Sequence, residues 1–364
     1  MPAAYHLNHF RPGITMGAKN VVWGLMLALL CVGGSAVASP IAVASHTIPM
    51  PEGHHGVGFD DIQYASALHR VLIPAGGTGN LVLVDPVSRA LTVVHQVGGP
   101  TIGRHAHRRA GTTSAIYADG WLFASDHDPA ELVAINPHKL NVVERTMLDG
   151  QPDYVRYVAS TREIWVTEPE QQQIQVFRVF HGKAKPFLRP FTTIRIAGGP
   201  EALEIDNQRN RAYTNADPGH TLAISLTDHV VVGNWTNTCK AARGLALDTA
   251  HDHVFVACKG GKVVTLSPAQ GGKVIASAIA GAGIDIISYN AHLHHLYVPG
   301  ANSRTLTVFK VSAKGTLASL ATYPTAAGAH CVTNDQSNHV FVCEPRTGAI
   351  LELDDDTGKM AAAH

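Results

Sequence analysis

A repeat of about 45 residues runs along the chain, and every copy is made of short strand patterns separated by turns. Each copy contains a turn with Gly or Pro, a short apolar strand, a polar turn and a second strand rich in aromatic residues and Val. Two looser copies begin at His54 and Gly111, which brings the number of copies to seven. The first polar residues of the five clear copies are spaced by 48, 42, 42 and 45 residues: Asp153, Glu201, Arg243, Asp285 and His330.

Repeats of this length that contain only short strands are typical of β-propellers, in which one repeat forms one blade. Asp-Pro, Asn-Pro, Ser-Pro and Asp-Thr-Gly turns mark the hairpin from a third to a fourth strand. We therefore predict an all-β fold, a seven-bladed β-propeller of four-stranded antiparallel blades. Because the last repeat ends soon after this hairpin, the N-terminal stretch 46–51 is predicted to supply the outer strand of the seventh blade and close the ring.

The N-terminal segment has the pattern of an export signal. Residues 21–38 carry no charge, follow Lys19 and end in small residues, with Ala-x-Ala sites at 36–38 and 42–44. We predict a signal peptide with an upstream segment over 1–44, cleaved near residue 38 or 44, with Met16 as an alternative start. Residues 45–364 then form one propeller domain that is periplasmic or secreted, with no membrane insertion after cleavage. An uncleaved anchor stays open, since a segment of this length can just span a bilayer.

The charge of the chain is balanced, with 28 Lys plus Arg against 28 Asp plus Glu. The overall field therefore gives no reason to expect a nucleic-acid partner. Aromatic residues make up only 6% of the chain, and we do not expect them to interleave with basic residues as a base-stacking surface requires. Motifs for a nucleophilic serine, a phosphate loop, a dinucleotide or a His-Glu-x-x-His zinc site are absent from the sequence. These features favour a binding protein, with a protein, peptide or small molecule as its partner, over an enzyme. We expect the protein to be a monomer.

Four cysteines follow the N-terminal segment, and an exported chain is expected to join them in two disulfides. Cys331 and Cys343 lie on the first two strands of one repeat, and Cys239 and Cys258 flank the equivalent hairpin of another. Pairing within each blade is the favoured interpretation. The alternative is a copper or zinc site formed by His330, Cys331, Cys343 and Glu344, and a one-residue change in register decides whether those side chains meet.

Polar side chains are predicted to converge around one mouth of the central channel. The first polar residue of each blade and the residues that follow each second strand lie on the same face of a propeller. Such residues also line the channel of a propeller without a functional site, because the strand ends cannot pack an apolar core at the axis. The predicted ligand-binding residues are His55, His105, His107, Asp153, Glu168, Glu201, Arg243, Asp285, His330 and Glu344.

Several repeats resemble those of a known propeller family. The second strands "IWVTEP" and "AYTNAD", together with the repeat "GLALD…HVFVACKGGKVV", are similar to YVTN-repeat propellers, in particular YncE-like periplasmic proteins. The resemblance covers the chain after its N-terminal segment. It departs at "GRHAHRRAG" in the second repeat, and several repeats have Pro or Cys where the family motif has Thr-Asn. The resemblance implies a non-enzymatic binding or scaffold module in the cell envelope.

Two alternatives from other functional classes remain. The segment "GGPEAL" is similar to the Gly-x-Pro-Glu-Gly opening of lactonase-type propellers, which implies a hydrolase with a divalent ion at the axis. The predicted ligands of that ion are Asp153, Glu201, Asn215 and Asp285. A redox-associated propeller is the weaker alternative, since the sequence contains no residue that would attach a cofactor. No cofactor is expected beyond this divalent metal.

Overall fold

The computed structural model describes residues 44–98, 111–182 and 185–357, which form seven four-stranded antiparallel sheets. The predicted seven-bladed β-propeller is therefore confirmed. Blade 1 contains β2 (Gln63–Ala65), β3 (Arg70–Pro74), β4 (Leu81–Val84) and β5 (Leu91–Val94). Blade 2 contains β6 (Ala115–Ala118), β7 (Trp121–His127), β8 (Ala130–Asn136) and β9 (Asn141–Met147). Blade 3 contains β10 (Val155–Val158), β11 (Glu163–Glu168), β12 (Gln173–His181) and β13 (Pro186–Arg195).

Blades 4 to 7 continue the same order, from the innermost strand to the outermost. Blade 4 contains β14 (Glu201–Asp206), β15 (Arg211–Ala216), β16 (His220–Ser225) and β17 (Val231–Thr236), and blade 5 contains β18 (Ala242–Asp248), β19 (His253–Cys258), β20 (Lys262–Ser267) and β21 (Lys273–Ile279). Blade 6 contains β22 (Ser288–Asn290), β23 (His295–Gly300), β24 (Thr305–Val311) and β25 (Leu317–Pro324). Blade 7 contains β26 (Val332–Asn334), β27 (His339–Glu344), β28 (Ala349–Asp354) and β1 (Ser45–Pro49). Short 3₁₀ helices lie at Gly53–His55, Ser66–Leu68 and Pro268–Gln270. No helix of the described segments is long and apolar enough to cross a membrane.

The burial of each strand follows from its position in the blade. Middle strands are covered on both faces by the neighbouring blades, so all six residues of β19 are buried. The outermost strand β21 of the same blade contains only exposed and partly buried residues. Continuous apolar runs such as "VFVA" therefore form middle strands, which are covered on both faces.

The N-terminal strand closes the ring. Strand β1 pairs antiparallel with β28, from Ser45 opposite Leu353 to Pro49 opposite Ala349. Ile48 is only 4% exposed, and the next residue but one, Met50, is equally buried and donates its backbone N–H to the carbonyl of Gly348. This confirms the predicted closure, which covers the edge that β28 would otherwise leave open.

Two disulfides lie within blades, as predicted. Cys239 is joined to Cys258, and Cys331 is joined to Cys343. The alternative copper or zinc site of His330, Cys331, Cys343 and Glu344 is wrong for this state of the chain, because both of its sulfur ligands are used in a covalent bond and neither is a thiolate.

An ion cluster crosses the interior of the channel. The Arg156 guanidinium, which is 7% exposed, donates to both carboxylate oxygens of Asp61 at 2.5 and 3.1 Å and to Oε1 of Glu204 at 3.1 Å. The Ser114 hydroxyl also donates to Asp61, at 2.6 Å. These four residues come from segments of different blades, so the cluster ties the innermost strands together.

A second buried network joins blade 6 to the segment after β28. Asp355 lies 2.6 Å from Nδ1 of His295 and accepts a hydrogen bond from the Tyr297 hydroxyl at 2.7 Å. Burial acts to raise the pKa of this carboxyl, but the hydrogen bonds from His295, Thr357 and Tyr297 outweigh it and lower the pKa to about 2. The ionised carboxylate is therefore the form that the folded protein favours.

Acid is expected to remove the stabilising contribution of Asp355. Because its folded pKa is about 2 and an unfolded Asp titrates near 3.9, this stability is complete above about pH 4 and is lost as the pH falls towards 2. We expect Asp355→Asn to lower the free energy of unfolding by about 2 to 3 kcal/mol at neutral pH and to flatten its decline below pH 4. Urea unfolding at a series of pH values from neutral to acid measures both the free energy of unfolding and its decline with falling pH. An unchanged acid slope in the variant would contradict the prediction.

Candidate functional site

A polar cavity of about 440 Å³ opens at the mouth of the channel where the innermost strands begin. It is lined by charged and polar side chains from blades 1 and 3 to 7. The lining residues are Asp60, Asp153, Tyr154, Glu201, Arg243, Lys259, Gly283, Ile284, Asp285, Ala301, Asn302 and His330. Five of the predicted ligand-binding residues therefore meet in one cavity: Asp153, Glu201, Arg243, Asp285 and His330.

Three of the aspartates occupy equivalent positions in their blades. Asp60, Asp153 and Asp285 are each followed by Tyr at the fourth position, and each precedes an innermost strand. Sequence reasoning missed Asp60, because it took His55 as the inner residue of the first repeat. The Asp-x-x-x-Tyr spacing shared with Asp153 and Asp285 was the signal that could have found it.

Glu201 and Arg243 reach the cavity through matching irregularities in two innermost strands. In β14 and β18 the register shifts by one residue near the start of the strand, between Glu201 and Glu204 and between Ala242 and Leu245. A β-bulge of this kind changes the direction of the side chains beside it. Glu201 and Arg243 form an ion pair with each other. Burial opposes the charge on Arg243, yet this carboxylate raises the pKa of the guanidinium.

The aspartates at the mouth repel one another. Burial is the main factor that raises the pKa of both Asp60 and Asp153 well above the usual range. Asp285 and Glu201 raise both values further, and Arg243 partly offsets this at Asp153. Within the described segments no side-chain hydrogen bond or ion pair is found for Asp60, Asp153 or Asp285. The cavity thus has more carboxylates than its cations neutralise.

His330 lies between this cavity and a second one. Its Nδ1 is 2.7 Å from the carbonyl oxygen of Gly328, and its Nε2 is 3.0 Å from that of Phe59. The imidazole therefore bridges blade 7 and the segment that leads into blade 1. The second cavity, of about 480 Å³, is lined by His330 together with His55, Pro345 and Arg346. The structure thus places the predicted residue His55 beside the carboxylate cavity and not within it.

Other predicted residues lie elsewhere. The buried Glu168 accepts a hydrogen bond from the Gln173 side chain, and burial raises the pKa of its carboxyl. Glu344 accepts from the backbone N–H of Ala326 and does not line the carboxylate cavity. His105 and His107 lie outside the described residues.

The predicted metal ligand Asn215 is not brought to the cavity. It is fully buried in β15, where its amide donates to the carbonyl of Arg243 and accepts from the Thr221 hydroxyl. Its amide group therefore links strands and is not available to an ion. The other three predicted ligands, Asp153, Glu201 and Asp285, do line the cavity.

Among the residues that the structure describes, two groups have ligand atoms close enough to hold a metal ion together, within 4.8 Å of one another. The first is His330 with Cys331 and Cys343, whose sulfurs form a disulfide. The second is His339 with Glu352 and Asp354. In the second group His339 and Glu352 already pair with Asp335 and Arg89. Neither group of the described residues contains a carboxylate of the mouth cavity.

Comparison with known proteins supports the fold and leaves the family open. The sequence matches no protein-family model and no curated protein. Among solved structures, it is similar to hydrazine synthase of Kuenenia stuttgartiensis, with a TM-score of 0.67, 11% identity, and coverage of 89% of this chain and 99% of that chain. It is also similar to a chain of the mitotic checkpoint complex, with a TM-score of 0.69, 8% identity, and coverage of 91% of this chain and 98% of that chain. The similarity to U3-55K has a TM-score of 0.67, 8% identity, and coverage of 85% of this chain and 98% of that chain.

These similarities establish a shared architecture. At identities of 8 to 11% they carry no information on ligands or activity.

Proposed function

We propose that this chain is a non-enzymatic binding propeller of the cell envelope that takes a positively charged organic ligand in the channel-mouth cavity. The observation that carries the proposal is the convergence of Asp60, Asp153 and Asp285 with too few cations to balance them. A ligand ammonium group would relieve their repulsion and form charge-assisted hydrogen bonds with them.

The size of the cavity favours an organic cation over a bare metal ion. A volume of about 440 Å³ is within the range of small-molecule pockets. A divalent ion needs oxygen ligands that approach one centre at about 2.0 to 2.6 Å, and the mouth carboxylates are not gathered in that way. An amine or diamine can bridge carboxylates that stand apart.

The envelope location and the family are part of the same proposal. Residues 21–38 have the pattern of an export signal, and two disulfides are compatible with an oxidising compartment. The YVTN-like second strands support a YncE-like binding or scaffold protein, for which a protein with a lysine-rich segment would be an equivalent cationic ligand.

Removing one mouth carboxylate is expected to weaken ligand binding without destabilising the fold. We expect Asp153→Asn to lower the affinity for 1,5-diaminopentane or spermidine by about 10- to 100-fold, measured by isothermal titration calorimetry. Burial and the neighbouring carboxylates raise the pKa of Asp153, so protons compete with the ligand and affinity should fall as the pH is lowered from neutral.

The stability of the variant separates a binding role from a structural one. A carboxyl with a raised folded pKa destabilises the folded state once the pH is above its unfolded value, so Asp153→Asn should be as stable as the wild type or more stable at neutral pH. The matched control is Asp119→Asn, which removes a carboxylate that pairs with Arg162. No heat of binding to any amine, or equal affinity of Asp153→Asn and wild type, would overturn the proposal.

A divalent-metal hydrolase is the second candidate, favoured by the four carboxylates of Asp60, Asp153, Glu201 and Asp285 in one cavity. The same calorimetry with Ca²⁺ and Zn²⁺ tests it. Stoichiometric metal binding that Glu201→Gln abolishes, together with hydrolysis of a lactone, would replace the binding proposal.

A further inference from the structure

The β12–β13 hairpin of blade 3 is longer than its counterparts. Its strands have nine and ten residues, whereas the equivalent β16 and β17 have six each. Three extra residues correspond to about 10 Å of strand. Because these strands turn on the side opposite the channel mouth, the hairpin projects from that side of the disc.

The outer face of this hairpin has two layers. Phe180 lies directly opposite Phe187 near the tip, and Arg178 lies directly opposite Arg189 one step behind them. The two Phe side chains are 44% and 45% exposed. Residues one position along, such as Val179 and Leu188, are buried on the inner face. An apolar tip is thus followed by a cationic layer about 7 Å away.

The hairpin has an excess of positive charge. Between Gln171 and Pro200 the sequence contains five Lys or Arg residues and no Asp or Glu. Glu163 lies 3.5 Å from Arg178, and Glu144 pairs with Lys185, but no acidic partner of Arg189 is found among the described residues. Two arginines directly opposite each other on a strand pair repel, which destabilises the hairpin. An anion bound between them would remove this repulsion.

We propose that this face of the β12–β13 hairpin docks on an anionic lipid bilayer, with Phe180 and Phe187 in the interfacial region and Arg178 and Arg189 at the phosphate groups. The spacing of the two layers matches the depth of about 5 to 10 Å to which interfacial apolar side chains enter a bilayer. The docking is peripheral and requires no spanning segment. It is independent of the cavity at the channel mouth.

Charge and geometry disfavour the other occupants of this surface. A symmetric contact with a second copy of the chain, centred on this hairpin, would bring the cationic layers of the two copies close together. Nucleic acid binding would use aromatic faces for base stacking, yet Arg189 lies over the Phe180 ring at 5.3 Å and Lys185 over Phe187 at 5.6 Å. Rings whose faces are covered by cations suit the interfacial region of an anionic bilayer better than they suit base stacking.

Vesicle co-sedimentation tests the proposal on residues 43–364, which form a compact unit that includes all the described strands. We expect binding to phosphatidylcholine vesicles containing about 30% phosphatidylglycerol, and much weaker binding to phosphatidylcholine alone. The double variant Phe180→Ser/Phe187→Ser should bind the anionic vesicles about tenfold or more weakly. Arg189→Gln should lose about fivefold and show less dependence on salt.

The matched control is Ile279→Ser, which removes a side chain that is 75% exposed on the outer strand of blade 5. It should bind vesicles like the wild type, and thermal unfolding should show that all variants stay folded. Absence of binding to the anionic vesicles would overturn the proposal, as would equal binding by the Phe double variant. Complete displacement from the vesicles by double-stranded DNA or polyglutamate of equal charge, with no effect of the Phe substitutions, would assign the surface to another polyanion.

Discussion

Replacing Arg156 with methionine is expected to lower the free energy of unfolding by about 3 to 5 kcal/mol. The substitution removes the cation that both oxygens of Asp61 share and leaves that fully buried carboxylate without its charge partner. Glu204 loses a hydrogen bond as well, and burial raises the pKa of its carboxyl. Urea unfolding at neutral pH measures the loss.

The control for this effect is Arg162→Met, which breaks the ion pair with Asp119 at a position where the arginine is half exposed. Its effect on the free energy of unfolding should be much smaller than that of Arg156→Met, because solvent screens this exposed ion pair. Adding Asp61→Asn to Arg156→Met should recover part of the lost stability, because the uncompensated charge is then gone. If Arg156→Met alone lowered the free energy of unfolding by less than about 1 kcal/mol, water would have to reach Asp61, and the ion cluster would not close the channel.

Removing the disulfide of blade 7 is expected to cost about 3 kcal/mol. Cys331 and Cys343 are 12 residues apart in sequence, and closing a loop of about that size restricts the unfolded chain by an amount of this order. Both sulfurs are fully buried, so Cys331→Ala/Cys343→Ala also loses packing. Chemical denaturation of the variant measures the combined loss of stability from the missing disulfide and from the missing packing.

The oxidised reference is wild-type protein unfolded with its disulfides intact, and the reduced reference is wild-type protein unfolded with a reductant and alkylated only after it has unfolded. The denaturation midpoint of the variant should shift in the same direction as that of the reduced protein. If the variant unfolded at the same denaturant concentration as the oxidised wild type, the bond would be restricting neither state of the chain.

The fold could be predicted from the sequence because its determinants are local. Each strand is a short apolar run bounded by turn residues, and the repeat spacing fixes how many blades must be accommodated. The closing role of β1 followed from a count of strands, since the last repeat lacks its outer one. The cysteine pairs followed from their positions, since each pair lies on or flanks one hairpin.

The candidate site could be predicted only in part, because the direction of a side chain depends on register. Asp153 and Asp285 were found from their position before an innermost strand. Asn215 and Glu168 were expected at the same mouth, but their side chains take part in hydrogen bonds among the buried strands. Asp60 was missed because the first repeat is the loosest copy. Neither bulge, at Glu201 or at Arg243, has a sequence signal that we recognised.

The aromatic and basic residues of the chain were expected not to interleave. That expectation is wrong for the β12–β13 hairpin, where Phe180, Phe187 and Phe191 alternate with Arg178, Lys185 and Arg189. The low aromatic content of the whole chain concealed a local concentration. Only the structure of the hairpin shows that guanidinium groups lie over exposed rings, with Arg178 over Phe191 and Arg189 over Phe180.

The closing strand also sets the order in which the chain can fold. Ser45 pairs with Leu353, roughly 300 residues later in the sequence, so the last blade cannot be completed until nearly the whole polypeptide is present. A chain that emerges from a ribosome or a membrane channel N-terminus first must keep β1 unpaired while six blades form. Sequestration of that strand by a chaperone would therefore protect the unfinished chain, whereas its mispairing with another chain would lower the yield of folded protein.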